Sequence, residues 1–259
     1  MRKIVRTFVL FDDVVQLATD VYSAASNHDD ATCMNGLPDS DTANVYVVVD
    51  DVAENDALCA LLSAAGRRAC GFLSASSFLT SQRGTGPGCL VLGADLGTAG
   101  GGLALQEALI VVQDPIPVVF VAGHTDVATS VRGMKAGAID FLTRPFPDSV
   151  LLEAVGSALA RDRQRLARER ASTDVAERAQ RLSQREREVM ALVAAGRMNK
   201  HIADELGISE ITVKIHRGNA MRKMEARSFA DLVIMAHKLG MTSPALYHGG
   251  IGRHRRETA

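Results

Sequence analysis

Tryptophan is absent from this chain of 259 residues, and aromatic side chains make up only 4% of it. Proteins that hold single-stranded nucleic acid stack successive bases on aromatic rings, and no such platform is present. Cysteine is scarce too. Cys33, Cys59, Cys70 and Cys89 show no metal-ligand spacing, and they read as small buried apolar residues of a reducing cytoplasm. No uninterrupted apolar run reaches the ~18 residues of a membrane span. The N-terminal stretch MRKIVRTFVLFDDVVQLA is broken by Asp12 and Asp13, which argues against a signal peptide. The expected location is therefore cytoplasmic, with no membrane partner. Net charge is short as well: 29 Lys and Arg against 30 Asp and Glu leave −1. Any affinity for nucleic acid must come from local charge.

What is present is a chain with 47% hydrophobic residues, enough for two modest domains. Residues 182–232, LSQREREVMALVAAGRMNKHIADELGISEITVKIHRGNAMRKMEARSFADL, carry the clearest punctuation. Ser183 and Glu186 form a capping-box pattern, so a helix starts there. Val189, Met190, Leu192 and Val193 give it an apolar face, and Gly196 suits the left-handed position past its end. A second helix is expected over about 200–206, closed by Gly207. Ile208 plugs the turn, and Ser209 caps a third helix reaching to about Met224. Two helices joined by a tight glycine-containing turn make a helix-turn-helix.

Helical periodicity sorts the third helix. Val213, Ala220 and Met224 fall close to one line at ~100° per residue and should face the core. The opposite side carries Ile211, Ile215, Gly218 and Arg222, flanked by Lys214 and Asn219. Isoleucines suit thymine methyls in a major groove, and Lys214, Asn219 and Arg222 can reach base edges or phosphates. Gly218 sits mid-helix, where glycine costs about 1 kcal/mol against alanine. Close approach to DNA is one reason to accept that cost.

This segment resembles the LuxR/FixJ-type DNA-binding domain of bacterial response regulators. The resemblance rests on L-S-x-R-E-x-E-V, on N-K-x-I-A-x-x-L at 199–206, and on I-S-x-x-T-V-K-x-H-R-x-N at 208–219. It implies that the third helix is the recognition helix and that a fourth, over about 228–239 with Leu232, Val233 and Met235, makes a dimer contact on DNA. By carry-over, Lys214 and Ile215 are base or near-base contacts. Thr212, His216, Arg217 and Asn219 are supporting or phosphate contacts, and Lys200, Ser209, Arg222 and Lys223 complete the expected DNA face. Gly218 departs from relatives that place a lysine there.

From Val45 the pattern alternates between strand and helix. VYVVV, a short strand over 69–73, CLVL, PVVFVA and AIDFL read as strands. Helices are expected over 53–65 (closing at Gly66), about 76–81, between CLVL and PVVFVA, across 126–136, and over 148–160. The fold class is thus α/β, a doubly wound five-stranded parallel sheet of flavodoxin-like type, followed by an all-α four-helix domain. Its active crevice lies at the carboxyl ends of the strands. Residues 1–43 form an N-terminal extension, with an amphipathic helix over about 4–22 and a polar linker over 27–44. Met34 is an alternative translation start that would leave residues 1–33 outside the native protein. The sheet domain covers 44–160 and a solvated linker helix or flexible linker 161–181. The helical domain covers 182–240, and a basic tail with Arg253, Arg255 and Arg256 covers 241–259.

Residues 45–160 resemble a response-regulator receiver, most strongly at IPVVFVAGHTDVATSVRGMKAGAIDFLTRPF. The resemblance implies phosphoryl transfer to an aspartate at the end of the third strand, with Mg²⁺ held by an acidic pair after the first. A hydroxyl residue and a lysine would bind the phosphoryl oxygens, and catalysis would be mostly positioning and charge neutralisation. On this chain the nucleophile position is Gly93, the hydroxyl position Ala122 and the lysine position Arg144. Ungapped register puts the acidic pair at Val49 and Asp50, with Asp51 one step beyond. One carboxylate in a neutral pocket is a poor Mg²⁺ site, so no metal and no cofactor is expected. An Asp50–Arg144 ion pair would suit the arginine fork and mimic a locked state. The glycine run at 97–102, GTAGGG, lacks the Lys-Ser/Thr of a P-loop and reads as a loosened, mobile connection. Val131, Lys135 and Phe141 match the surface that related receivers use to dimerise.

The sequence therefore predicts a DNA-binding transcription regulator, not an enzyme and not controlled by aspartyl phosphorylation. Its partners would be duplex DNA, a second copy on that DNA, and a sensor kinase or another protein; a small ligand or simple abundance could also set its activity. One alternative is a conventional phosphorelay regulator using a displaced aspartate, Asp51 or Asp95. Another is an interaction protein that inhibits a related regulator by heterodimerising.

Overall fold

The computed structural model describes residues 32–33, 43–97, 100–123 and 127–241. The expected helix over 4–22, Met34 and the basic tail lie outside them. The chain divides into two units, 1–166 and 167–259.

The first unit is built on the strands β1 (Thr32–Cys33), β2 (Asn44–Val48), β3 (Arg68–Phe72), β4 (Gly88–Gly93), β5 (Val118–Ala122) and β6 (Asp140–Thr143). Their order is β1-β3-β2-β4-β5-β6. The five expected strands are all parallel to their neighbours. β1, inside the stretch expected to be linker, adds a two-residue antiparallel pairing at the β3 edge. Helices alternate with the strands: α1 (Val52–Ala64), α2 (Ala75–Thr80), α3 (Gly101–Val111), α4 (Val127–Lys135) and α5 (Asp148–Gln180).

A parallel sheet covered on both faces needs near-continuous apolar strands, and period-2 alternation splits them into two cores. Tyr46, Val48, Phe72, Leu90, Leu92 and Phe120 meet Phe78 of α2 and Leu103, Leu105 and Leu109 of α3 on one face. Val45, Val47, Val91, Val119 and Val121 meet Leu58 and Leu62 of α1 and Leu151, Val155 and Leu159 of α5 on the other. Cys70 and Cys89 are buried within these cores, as small apolar fillers would be. Burial, the largest cause, pushes the Cys89 thiol up to about 12.

Two expectations change here. α5 does not stop near 160 but runs unbroken to Gln180, so the expected linker is helical over most of its length. Its Ala/Arg/Glu composition favours helix even where apolar contacts are sparse. The glycine run is not a loosened connection where it is described. Gly102 donates its N–H to the Ala94 carbonyl at 3.0 Å. A Cβ on Gly102 would stand 2.2 Å from the Gly93 oxygen, and one on Gly101 (φ +62°) 2.5 Å from the Ala94 oxygen. The glycines let α3 begin against the end of β4.

The second unit contains α6 (Gln184–Ala194), α7 (Asn199–Leu206), α8 (Glu210–Lys223) and α9 (Phe229–Lys238). Ser183 and Glu186 make the capping box in full, and Gly196 and Gly207 close α6 and α7 with φ of +77° and +66°. Val189, Val193, Ile202 and Val213 form one cluster, with Ile208 of the turn packed against it. Met190, Ala220, Met224, Leu232 and Ala236 form another, joined by Val175 and Ala179 from the end of α5. One polar group lies inside this packing: Glu186, only 4% exposed. Its carboxylate accepts from the Ser183 backbone N–H at 2.7 Å and from the Lys223 ammonium at 2.7 Å, tying the start of α6 to the end of α8.

Two predictions follow from this packing. Gly102→Ala is expected to lower the stability of the first unit by about 1–3 kcal/mol through overpacking, read as a lower urea midpoint; an unchanged midpoint would show that α3 can move off β4 freely. Burial alone would raise the Glu186 carboxyl, but Lys223 and the N–H and hydroxyl of Ser183 outweigh it and hold it below its usual value. A depressed folded pKa gives stability that is present above the unfolded value and lost as pH falls through the folded one. The second unit should therefore lose stability on acidification below the ordinary glutamate range. Lys223→Ala should flatten that dependence and cost about 1–3 kcal/mol at neutral pH.

Candidate functional site

Parallel pairing brings the strand ends level, since Val48 pairs with Phe72 and Leu92, Gly93 with Val121, and Ala122 with Thr143. The positions expected around a phosphorylation pocket meet along this edge. Gly93 ends β4, buried and without a side chain, and a Cβ there would make only ordinary contacts of 3.5 Å and beyond. Ala122 ends β5 and is buried. Val49 turns into the core among Val47, Val91 and Val121, so one site of the family's acidic pair has become part of the packing.

The carboxylates at this edge are engaged by the protein itself. Asp50 is exposed, and its Oδ2 accepts from the Gly97 N–H at 2.8 Å. Asp51 is the N-cap of α1, its Oδ1 accepting from the Glu54 N–H at 2.8 Å. Asp95 Oδ2 accepts from the Gly123 N–H at 3.3 Å, the amide immediately after Ala122. The expected Asp50–Arg144 pair does not form, because Arg144 pairs with Glu54 on the first turn of α1. With Asp50 turned to Gly97, Glu54 is the carboxylate that α1 presents to the guanidinium. Burial lowers the Arg144 pKa from its usual value, and nearby Asp51 opposes that shift.

A Mg²⁺ ion does not fit this edge. It needs several charge-compensating oxygen ligands to converge, whereas position 93 supplies no side-chain oxygen, Val49 is packed into the core and the Arg144 guanidinium is held on Glu54 at the same edge. Among the described residues no three His, Cys, Asp or Glu side chains gather to hold a metal.

Sequence reasoning missed two residues of this edge. Asp51 and Glu54 stand at N-cap and N3 spacing, a pattern that could have drawn attention to Glu54. Asn55 is buried, and its Nδ2 donates to Val49 O at 3.2 Å and Phe72 O at 2.9 Å, fastening α1 across the ends of β2 and β3. Nothing in its sequence position announced that role.

The second candidate surface is α8. Val213, Ala220 and Met224 are fully buried. Outward, Ile211 and Ile215 are 70% and 56% exposed, and Lys214 and Gly218 are exposed beside them. Ser209 caps the helix through the Thr212 N–H at 3.1 Å, and its hydroxyl lies 2.8 Å from that of Thr212. Arg222 donates to Asn219 Oδ1 at 2.9 Å, which orients the guanidinium along the helix. Arg217 is half-buried, donating to Asn199 Oδ1 at 3.5 Å and lying 5.8 Å from the Phe229 ring centre. His216 buries its Nδ1 with no hydrogen-bond partner among the described residues. Lys200 is exposed on α7. Lys223, expected on the DNA face, is instead drawn to the buried Glu186. An unpaired buried carboxylate would cost more than the loss of one surface cation.

Comparison with known proteins agrees with both halves. Residues 45–156 match the response regulator receiver domain and residues 180–236 the GerE group of bacterial regulatory proteins, luxR family. Nodulation protein W of Bradyrhizobium diazoefficiens is 44% identical over 205 residues, spanning 79% of this chain and 89% of that protein. The transcriptional regulatory protein FixJ of the same organism is 39% identical over 199 residues, spanning 76% and 96%. The solved structure of the response regulator StyR superposes with a TM-score of 0.68 at 41% identity, covering 76% of this chain and 99% of that one. Among the described residues no helix is long and apolar enough to cross a membrane. With a receiver domain followed by a luxR-family helical domain, the chain belongs to the FixJ/LuxR type of DNA-binding response regulators.

Proposed function

We propose that this regulator binds duplex DNA through α8 without control by aspartyl phosphorylation, and that the chain performs no phosphoryl transfer on itself. The observation that carries this reading is the crevice edge. Position 93 has no side chain to accept a phosphoryl group, and Asp50, Asp51 and Asp95 already accept hydrogen bonds from backbone amides of their own domain. Phosphoryl transfer of the receiver kind depends on metal and cationic groups placed around an attacking carboxylate. Arg144 is bound to Glu54 and Ala122 offers no hydroxyl. The receiver then acts as a protein-binding or ligand-binding module that governs the DNA-binding unit.

The DNA partner is supported by the exposed Lys214, Ile215 and Arg222 on a helix whose opposite side is fully buried. Two copies would meet on DNA through α9, where Phe229 and Ile234 are exposed. Net charge near zero makes this affinity depend on a few local phosphate contacts.

Two outcomes are expected. Incubation of the full-length protein with acetyl phosphate and Mg²⁺ should leave its intact mass unchanged; a phosphoryl adduct lost on Asp51→Ala or Asp95→Ala would contradict the proposal. Lys214→Ala should weaken the complex with a specific duplex by about 1–3 kcal/mol if Lys214 reads a base, or lower the salt slope by about one if it holds a phosphate. Unchanged binding in both respects would mean that another face meets DNA.

A further inference from the structure

Gly218 is a residue of α8 for which the inside of the protein gives no reason. Several other glycines of this chain are explained by their surroundings, although Gly156, within the helix Asp148–Gln180, also has open space about it. A Cβ would stand 2.0 Å from Asn55 Oδ1 at Gly71, 2.2 Å from the Gly93 oxygen at Gly102 and 3.1 Å from the Phe120 ring at Gly133. At Gly218 no atom of the described residues, beyond its chain neighbours and the adjoining backbone of its own helix, lies within 4 Å of that point, and the position lies within the continuous helix Glu210–Lys223. Glycine there makes the helix less stable than alanine would, with no packing or turn to offset the loss.

Its place on the helix supplies the reason. Ile211, Ile215, Gly218 and Arg222 follow one line down the outer face, opposite the fully buried Val213, Ala220 and Met224. That line reads as two exposed branched aliphatics, then bare backbone, then a guanidinium steadied by Asn219. A merely solvated face gains from alanine, lysine or glutamate, and both isoleucine and glycine are poorer helix formers than these. A helix with its side chains measures about 10–12 Å across and a major groove about 12 Å. The side chains on the outermost line therefore set how deeply the helix can sit.

Resting on the reading of α8 as the DNA-recognition element, we propose that Gly218 is a clearance that determines specificity. Its missing side chain lets the helix backbone approach the groove floor closely enough for Ile211 and Ile215 to press on thymine 5-methyl groups. The recognised site is accordingly rich in thymine beneath the two isoleucines. The chemistry is selective because the methyl is the one apolar group that base edges present in the major groove. An isoleucine side chain has no donor or acceptor with which to read anything else.

The test uses the full-length protein and a random pool of duplexes, from which the bound sequences are enriched. Binding of the enriched duplex is then measured for wild type, Gly218→Ala and Gly218→Lys, and for a duplex in which uracil replaces thymine so that only the methyl is lost. Gly218→Ala should melt at a higher temperature and yet bind the enriched duplex at least fivefold more weakly, with non-specific binding unchanged. Gly218→Lys should enrich a different sequence. Each contacted methyl removed should cost wild type about fourfold, the ~0.8 kcal/mol of one buried methylene-sized group at 1.4 kcal/mol per tenfold. The proposal is overturned if Gly218→Ala keeps both the affinity and the enriched sequence, or if uracil is bound as well as thymine. A pool from which nothing is enriched overturns the DNA-binding reading itself, and this inference with it.

Discussion

Carboxylates at the carboxyl edge of the sheet satisfy amide groups of the chain itself, and the geometry of that edge depends on this arrangement. Loops leaving parallel strands expose N–H groups that need an acceptor. Asp50 supplies one to Gly97 in the loop after β4, Asp95 supplies one to Gly123 in the loop after β5, and Asp51 supplies one to the first turn of α1. Arg144 is held by Glu54. The edge is thereby closed by internal bonds, in a place where a phosphorylated receiver would use bonds to a phosphoryl group. Asn55 adds a further fastening from below, joining the ends of β2 and β3 to α1. Gly102 lets α3 begin directly against the Gly93 carbonyl, where a Cβ would stand 2.2 Å from the oxygen.

The helical unit is organised by a different polar contact with a related logic. Glu186 is shared between its own helix start and Lys223 at the far end of α8. Its burial makes both partners necessary, since a carboxylate removed from water is costly unless its oxygens are bonded. The reward is orientation: with Val213, Ala220 and Met224 held in the core, the isoleucines and Gly218 are turned to solvent. The two units thus carry separate cores and separate polar fastenings.

Much of this was legible in the sequence, for reasons that differ by element. Ser183, Gly196, Gly207 and Ser209 mark helix ends because caps and left-handed positions are local requirements, and the helices begin and end where those residues stand. The five parallel strands were visible as apolar runs because both faces of the sheet are buried. Partner choice was not legible. Asp50 and Arg144 were plausible partners on charge alone, but the first turn of α1 offers Glu54, and only three-dimensional placement decides between two carboxylates. The glycine run looked like slack, since sequence shows composition and not the carbonyl oxygens of Gly93 and Ala94 that exclude a Cβ. Lys223 looked like one more surface cation because its partner Glu186 lies 37 positions away. The short strand β1 carried no periodic signal at two residues.

The central claim is that DNA binding by this response regulator does not wait for a phosphoryl group. The most direct measurement is the affinity of the full-length protein for its own enriched duplex, before and after incubation with acetyl phosphate and Mg²⁺ at fixed salt. The account predicts specific binding by the untreated protein and the same affinity after treatment. Specific binding that emerges or strengthens severalfold only after treatment would contradict it.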